Sequence, residues 1–446
     1  MEFIKFDLSK TLGEFKIMNA VNNGPVHKRH AQDQRRSNLN EYKAARIPYA
    51  RNHDAAFNAS YGGEHTVDIS AIFPNFDADP YDENSYDFAC TDEYVGVTLD
   101  AGTETFFRLG QKIEHYVKKY GIYPPKDNKK WAVICEHIIR HYNEGWANGY
   151  HYNMKYWEIW NEPDLDCDLD ENNKWVYHDY RRTWGGNLEE FYDMYEVAAK
   201  HLKSCFPDLK IGGPALCGDV DWGRDFLNEM KKREVPIDFF SWHAYGHEVS
   251  HVIEKAAKIK EIMDKSGYGN AESILNEWNY VEGWQDELFT YTIEQIIGVK
   301  GAAFTLAVMC EAQKSGIIDM LMYYDARPCV FNGLWDFYTL RALPGYYPFL
   351  WYGMFYDMKA EVACVSQPND VYALSGIDEG GKTLTVISYF IDDDKAPAKE
   401  ISVDIGREGE YEVYYLDNSH DPKVAEIKSK LEFTMPANTC LLIKEK

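Results

Sequence analysis

Two segments place a glutamate directly after an apolar run. YWEIWNEPDL (156–165) ends on Asn161, Glu162 and Pro163, and ESILNEWNY (272–280) carries Glu277 just past its apolar stretch, again preceded by an Asn. Proline halts regular pairing, which sets Glu162 at the carboxyl end of a strand. Two carboxyl groups at strand ends suit cleavage of a glycosidic bond. One protonates the departing oxygen, and the other attacks the anomeric carbon. Water then releases the covalent glycosyl-enzyme, with the first group acting as base. A separation of about 5–5.5 Å accompanies retention and a gap above about 6.5 Å inversion; the shorter spacing is expected here. A non-catalytic rim with two idle carboxylates is the alternative.

Other residues of the same types read differently. Glu158 and Glu272 lie nearer the starts of their strands, so buried, paired structural roles are expected. Trp157, Trp160, Trp242 and Trp278 fall in core positions, whereas Trp284 and Trp335 fall in loops and are candidates for stacking on a sugar. His137 and His141 share a helical face without the Glu of a HExxH motif, so a solvated face is expected. His243 and His247 straddle a strand end and are not expected to converge on one metal. Neither GxSxG nor GxxxxGKS occurs. No metal and no cofactor are expected.

These residues must be held by a scaffold, and its pattern repeats. Apolar β-rich runs at 16–21, 47–52, 106–109, 156–160, 210–213, 238–243, 272–276 and 320–324 are each followed by an amphipathic helical stretch, near 33–45, 91–101, 131–148, 188–205, 221–232, 252–265, 288–310 and 340–356. Eight βα units in a row predict an α/β fold, a (β/α)8 TIM barrel over 16–358, whose catalytic face lies at the strands' carboxyl ends. Glu162 then sits on the fourth strand and Glu277 on the seventh, across the mouth from each other. No Gly-rich phosphate fingerprint follows the first strand, which argues against a doubly wound sheet. Past Ala360 the period changes to two, predicting a C-terminal antiparallel β-sandwich over 359–446. EFIKFDL (2–8) alternates in the same way, so residues 1–15 are expected to form an N-terminal strand joining that sandwich. The long 52–102 segment, with little helix before Thr91, is expected to serve the rim.

Composition limits the partners. The chain has 446 residues, with 47 Lys plus Arg against 72 Asp plus Glu, a net charge of −25. Phosphate contacts need clustered basic residues, so neither nucleic acid nor an anionic membrane surface is an expected partner. The most apolar helical stretch, 291–310, is interrupted by Glu294, Gln295 and Lys300 and reads as a buried helix. The opening MEFIKFDLSK has no basic segment followed by an apolar run, so a cytoplasmic location is expected for the chain as written, and a periplasmic or secreted one if a leader has been removed. Nine widely spaced cysteines without CxxC predict free thiols. Oligomeric state is not legible.

The ordered set IFPNFDADP-x-DENSYDF (72–88), FFRLG (106–110), WEIWNEPDL (157–165), KIGGPA (210–215) and DFFSWHAYG (238–246), with the C-terminal β domain, resembles glycoside hydrolase family 39, the β-xylosidase and α-L-iduronidase family of the retaining barrel glycosidases. The resemblance covers nearly the whole chain. It implies Glu162 as acid/base and Glu277 as nucleophile, Asn161 as the residue that hydrogen-bonds the sugar 2-hydroxyl, His53 as a substrate-binding residue, and His243 and Tyr245 beside the nucleophile. Where relatives carry a sugar-stacking Trp on the eighth strand this chain reads MYYDAR (322–327), so Tyr324 or Trp335 would take its place. The acid must hold its proton near neutral pH, which burial favours. The nucleophile must stay ionised, and Arg51 and Tyr245 are the expected donors. An exo-acting β-glycosidase on oligosaccharides, β-xylosidase-like, is the leading expectation; an endo-glycanase and a non-catalytic sugar-binding barrel are the alternatives.

Overall fold

A computed structural model describes residues 1–27, 29, 36–53 and 66–446. Among them, eight parallel strands close into a barrel in chain order. They are β1 (Ile17–Asn22), β2 (Tyr49–Arg51), β3 (Glu104–Leu109), β4 (Tyr156–Ile159), β5 (Lys210–Leu216), β6 (Phe239–Gly246), β7 (Glu272–Tyr280) and β8 (Met320–Tyr323). All eight expected strands are present, so the TIM-barrel fold class holds.

Side chains two apart on a strand share a face, and that period builds the barrel interior in layers. Ala20, Phe106, Tyr156, Phe239, Ile274, Met320 and Met322 form a small apolar cluster of their own. Two residues further along five of these strands, the positions become polar: Asn22, Arg108, Glu158, Ser241 and Asn276, every one of them fully buried. The apolar layer plugs the barrel, and the polar layer above it is the floor of the catalytic face.

The helices follow their strands with three adjustments; one is that the expected helix over 340–356 is the shorter Tyr346–Gly353 followed by a 3-10 turn, Met354–Asp357. The expected helix over 288–310 is two helices, Asp286–Ile296 and Val299–Ser315, bent by 76°. Gly301 explains the corner: a Cβ there would lie 2.7 Å from the carbonyl oxygens of Gln295 and Ile296. The second helix is buried between the barrel and the C-terminal sheet, where Ser388 donates to the Ala303 carbonyl at 2.7 Å. No single described helix is long and apolar enough to cross a membrane. The expected helix over 33–45 is described only as Leu39–Ala45; its beginning, like residues 54–65 of the 52–102 segment, lies outside the described residues.

The C-terminal sheet has nine strands in one curled layer. In chain order its strands after the barrel are β9 (Ala360–Ser366), β10 (Val371–Ile377), β11 (Thr383–Tyr389), β12 (Lys399–Asp404), β13 (Tyr411–Leu416), β14 (Glu426–Lys428), β15 (Glu432–Met435) and β16 (Thr439–Glu445). The N-terminal strand Glu2–Gly13 enters between β9 and β12, antiparallel to the first and parallel to the second. Ile4 and Phe6 pack there into a core of their own with Val371, Ile387, Ile401 and Leu441.

His137 and His141 do not face solvent. Both are buried. Helix Ala89–Asp100 and the chain before it cover that face: Phe88 stacks on His141 with centroids 3.6 Å apart, and Asp92 meets the His141 ring at 3.0 Å. All nine cysteines are free.

Candidate active site

Glu162 leaves β4 through a strained turn. Trp160 and Glu162 both have positive φ, 74° and 49°, a conformation non-glycine residues hold only where surrounding contacts impose it. Those contacts are specific. The Glu162 amide donates to Ala215 at 3.0 Å, its carbonyl accepts from the Thr183 hydroxyl at 2.6 Å, and the Trp160 indole donates to the Thr183 carbonyl at 3.0 Å. Asp164, buried, accepts from the amides of Cys217 and Gly218 at 2.8 and 2.9 Å, tying this turn to the loop after β5. Burial pushes the Asp164 carboxyl up to about 6.

Glu277 is aimed by an irregularity in β7. The pairing of β7 with β6 slips between Leu275 and Glu277, so Glu277 stands opposite His243 and Asn279 opposite Tyr245. Such a bulge turns a side chain from its regular direction. Glu277 Oε1 accepts from Arg51 Nη1 at 2.8 Å and lies 3.3 Å from His53 Nε2; Oε2 accepts from the Tyr245 hydroxyl at 2.8 Å.

Arg51 organises the floor. Its Nε donates to Glu158 at 2.6 Å, Nη1 also to Asn22 at 3.1 Å, and Nη2 to Asn161 Oδ1 at 2.6 Å. Burial opposes its charge, but Glu158 and Glu277 outweigh burial and hold the guanidinium firmly protonated. Because Oδ1 of Asn161 accepts from Arg51, the amide presents its NH2 as the group that can donate to a ligand. Glu158 is saturated by Arg51, Ser241 and Asn276, each at 2.6 Å, so it is a buried anchor. Glu272, at the other end of its strand, takes the Tyr156 hydroxyl and Lys210.

His243 stands between the two glutamates. Its Nδ1 is 2.8 Å from Glu162 Oε1 and 3.5 Å from Glu277 Oε2. Burial pushes the imidazole down to about 3, so the ring is neutral at physiological pH. A neutral ring with its proton on Nδ1 donates to Glu162 Oε1 and leaves Oε2 to carry an acid proton. Burial raises the Glu162 carboxyl; the Cys217 thiol, His53, Arg51 and Arg182 pull it back only in part. One oxygen each from Glu162 and Glu277 and one nitrogen of His243 lie within 4.8 Å of one another.

An aromatic wall borders Glu277. Tyr324 meets His53 edge-on at 5.5 Å and Tyr245 at 6.4 Å. Trp284, 56% exposed, stands edge-on to Tyr245 at 5.2 Å. Phe331 closes the cluster, 5.8 Å from Trp284 and 5.9 Å from Tyr324. Arg51, His53, Asn161, Glu162, His243, Tyr245, Glu277, Tyr324 and Trp284 are thus gathered at one mouth.

Trp335 is not among them. It is fully buried, stacked on Tyr42 at 5.6 Å and tilted against Tyr346 at 5.0 Å. Inside, Asn332 Oδ1 accepts the amides of Leu334 and Trp335 at 3.0 Å, so these two backbone donors keep partners away from water. Residues that the sequence did not single out include Asn22 and Ser241 in the floor, Asp164 and Cys217 beside Glu162, and Phe331. The inward period of two could have found the first two.

Three groups of described residues bring ligand-type atoms close enough for a metal: Glu136–His201–Cys205, Glu162–His243–Glu277 and His247–Glu282–Asp392. Each already has a protein cation on a carboxylate, from Arg140, Arg51 and Lys300 in turn.

The model of "Glycosyl hydrolases family 39" matches residues 23–279. A β-xylosidase of Geobacillus stearothermophilus is 32% identical over 179 residues, 37% of this chain and 32% of the relative. A β-xylosidase of Caldicellulosiruptor saccharolyticus is 27% identical over 214 residues, 45% of this chain and 38% of the relative. The matched stretches therefore span about a third of the length of these relatives. In three dimensions a glucosidase from Croceicoccus marinus superposes with a TM-score of 0.77 at 22% identity, covering 100% of this chain and 98% of the other. A monomeric β-xylosidase from Caulobacter crescentus gives 0.69 at 15% identity, over 100% and 99%. With the family model spanning more than half of the sequence, the chain belongs to glycosyl hydrolases family 39.

Proposed function

We propose that this chain is a retaining, exo-acting β-glycosidase of oligosaccharides, β-xylosidase-like, with Glu162 as acid/base and Glu277 as nucleophile. The observation that carries the reading is the pair of carboxylates meeting around His243 within 4.8 Å, on the short side of the range that separates direct attack from attack by an interposed water. Their surroundings divide the labour. Burial favours the protonated form of Glu162, while Glu277 accepts hydrogen bonds from a guanidinium and a phenol that fix its two oxygens. The names of the curated relatives support the xylosidase assignment.

In the first step an oxygen of Glu277 bonds to C1 of the sugar as the bond from C1 to the glycosidic oxygen breaks. That oxygen leaves with the electron pair and takes the proton of Glu162. In the second step water attacks C1 and gives its proton to Glu162, while the bond from C1 to Glu277 breaks and restores the carboxylate. Asn161 can donate its NH2 to a sugar hydroxyl, and Trp284 and Tyr324 offer rings to the sugar's C–H face.

The test is incubation with a 2-deoxy-2-fluoro-β-xylosyl fluoride, followed by peptide mass mapping and by NMR of the first-formed anomer from p-nitrophenyl β-D-xyloside. A label on the peptide carrying Glu277, with β-xylose formed first, is expected. Glu277→Gln should take up no label and lose nearly all turnover. An α-product, or a label elsewhere, would overturn the assignment.

A further inference from the structure

The loop 390–394, which follows β11 of the C-terminal sheet, reaches the catalytic rim of the barrel. Its Asp392 touches three barrel segments at once. Oδ1 accepts from the Tyr280 hydroxyl at 2.8 Å and pairs with Lys300 at 2.5 Å, and Oδ2 lies 2.6 Å from His247 Nδ1. The same ring nitrogen is 3.1 Å from Glu282 Oε2. Asp394 gives Lys300 a second partner at 3.0 Å and accepts from the Tyr291 hydroxyl at 2.7 Å. Lys300 is buried, and its ammonium fills the place a cation would take among these carboxylates. What the cluster holds together is therefore protein to protein.

The protein it holds is the turn beyond β7. Tyr280 ends the strand that carries Glu277; Glu282 follows two residues later and Trp284 two after that. The turn is fixed from two sides. Thr292 Oγ1 accepts the amides of Glu282 and Gly283 at 3.0 and 3.3 Å, and the Glu282 side chain is held by His247 under Asp392. Among the described residues, which include all 12 tryptophans, Trp284 is the single exposed one. It stands against Tyr245, whose hydroxyl donates to Glu277. An exposed indole on an unsupported turn would have to be ordered each time a sugar stacked on it, and that ordering weakens binding.

We propose that Glu282 and Asp392 are positioning residues for sugar recognition: through them the C-terminal sheet fixes the turn that stands Trp284 over Tyr245, so one wall of the pocket is set from outside the barrel. The role in recognition rests on the glycosidase reading above; the positioning of Trp284 is measurable without it.

The test uses the full chain and centres on Glu282, because Asp392→Ala removes the nearer of the two carboxylates that hold the buried Lys300 and could prevent folding. Two measurements are made on wild type, Glu282→Ala, Glu282→Gln, Trp284→Ala and the Glu282→Ala/Trp284→Ala double variant. The first is acrylamide quenching of tryptophan fluorescence, with the Trp284 share isolated by subtracting Trp284→Phe. Quenching of that share should rise in Glu282→Ala and less in Glu282→Gln. The second is turnover of p-nitrophenyl β-D-xyloside. KM should rise about three- to tenfold in Glu282→Ala, with kcat nearly unchanged, and the double variant should be no worse than Trp284→Ala alone. Unchanged quenching, a loss confined to kcat, or additive effects in the double variant would each overturn the proposal. If wild type cleaves no aryl β-glycoside, the functional reading fails and the quenching comparison alone decides whether Glu282 positions Trp284.

Discussion

Replacing Arg51 by Lys removes a fork that no ammonium can imitate. The guanidinium of Arg51 is fully buried and meets Glu158, Asn22, Glu277 and Asn161 in four directions. Lysine offers a compact charge that can satisfy one or two of these partners. At least two charge-assisted hydrogen bonds are lost, at about 1.5–3 kcal/mol each. Glu158 keeps Ser241 and Asn276, and Glu277 keeps Tyr245, so the lower end applies: a stability loss of about 3 kcal/mol. The catalytic consequence has a definite sign. Lysine keeps a cation but not the fork that holds Glu277 and Asn161 in fixed positions, so their alignment toward a sugar is lost. One lost bond of about 1.5–3 kcal/mol corresponds to a fall in kcat/KM of about ten- to a hundredfold. Urea unfolding measures the first effect and kcat/KM on an aryl β-glycoside the second. A folded Arg51→Lys variant with undiminished kcat/KM would refute the reasoning, because the fork would then not be what places these two side chains.

Other outcomes follow from the same geometry. Glu162→Ala should cost about 10²–10⁴-fold on substrates whose aglycone needs a proton and far less on aryl glycosides with acidic leaving groups, read as the slope of log kcat against leaving-group pKa; equal losses would remove Glu162 as the acid. The alkaline fall of kcat/KM should lie above the ordinary range of a glutamic acid, since burial raises Glu162 and activity is lost as that proton leaves. A profile falling through the usual carboxylate range would count against its burial in the working enzyme. Trp335→Phe should lower stability by about 1–3 kcal/mol while leaving KM unchanged, because its indole stacks on Tyr42 inside the protein; a raised KM would put it back among the sugar contacts.

Reading along the chain identifies features whose signals are local. Apolar strands ending in Asn161–Glu162–Pro163 and in Asn276–Glu277 mark two carboxylates for the rim, and the change to period two past Ala360 marks the second sheet. The order of eight βα units settles which strands are neighbours, because parallel barrel strands pair in sequence. Burial of an individual loop residue has no such signal. Trp284 and Trp335 look alike in sequence, yet one is exposed and the other is fully enclosed. The imidazoles of His137 and His141 read as solvated until the chain before them folds back and covers them. The corner at Gly301 appears only when Val299–Ser315 must turn beneath the sheet.

Local pattern decides which face a side chain points to, because φ/ψ periodicity is written into neighbouring residues. The partner of a buried charge is decided by ring closure, which brings together groups such as Arg51 and Glu277, 226 residues apart. A polar atom cut off from water must find a partner wherever the fold supplies one. Sequence alone therefore pointed to the barrel, to the family, and to two carboxylates at the strand ends. Tertiary structure alone settled which partners hold Glu158, that His243 stands between the two glutamates, and that Asp392 reaches the rim from the second sheet.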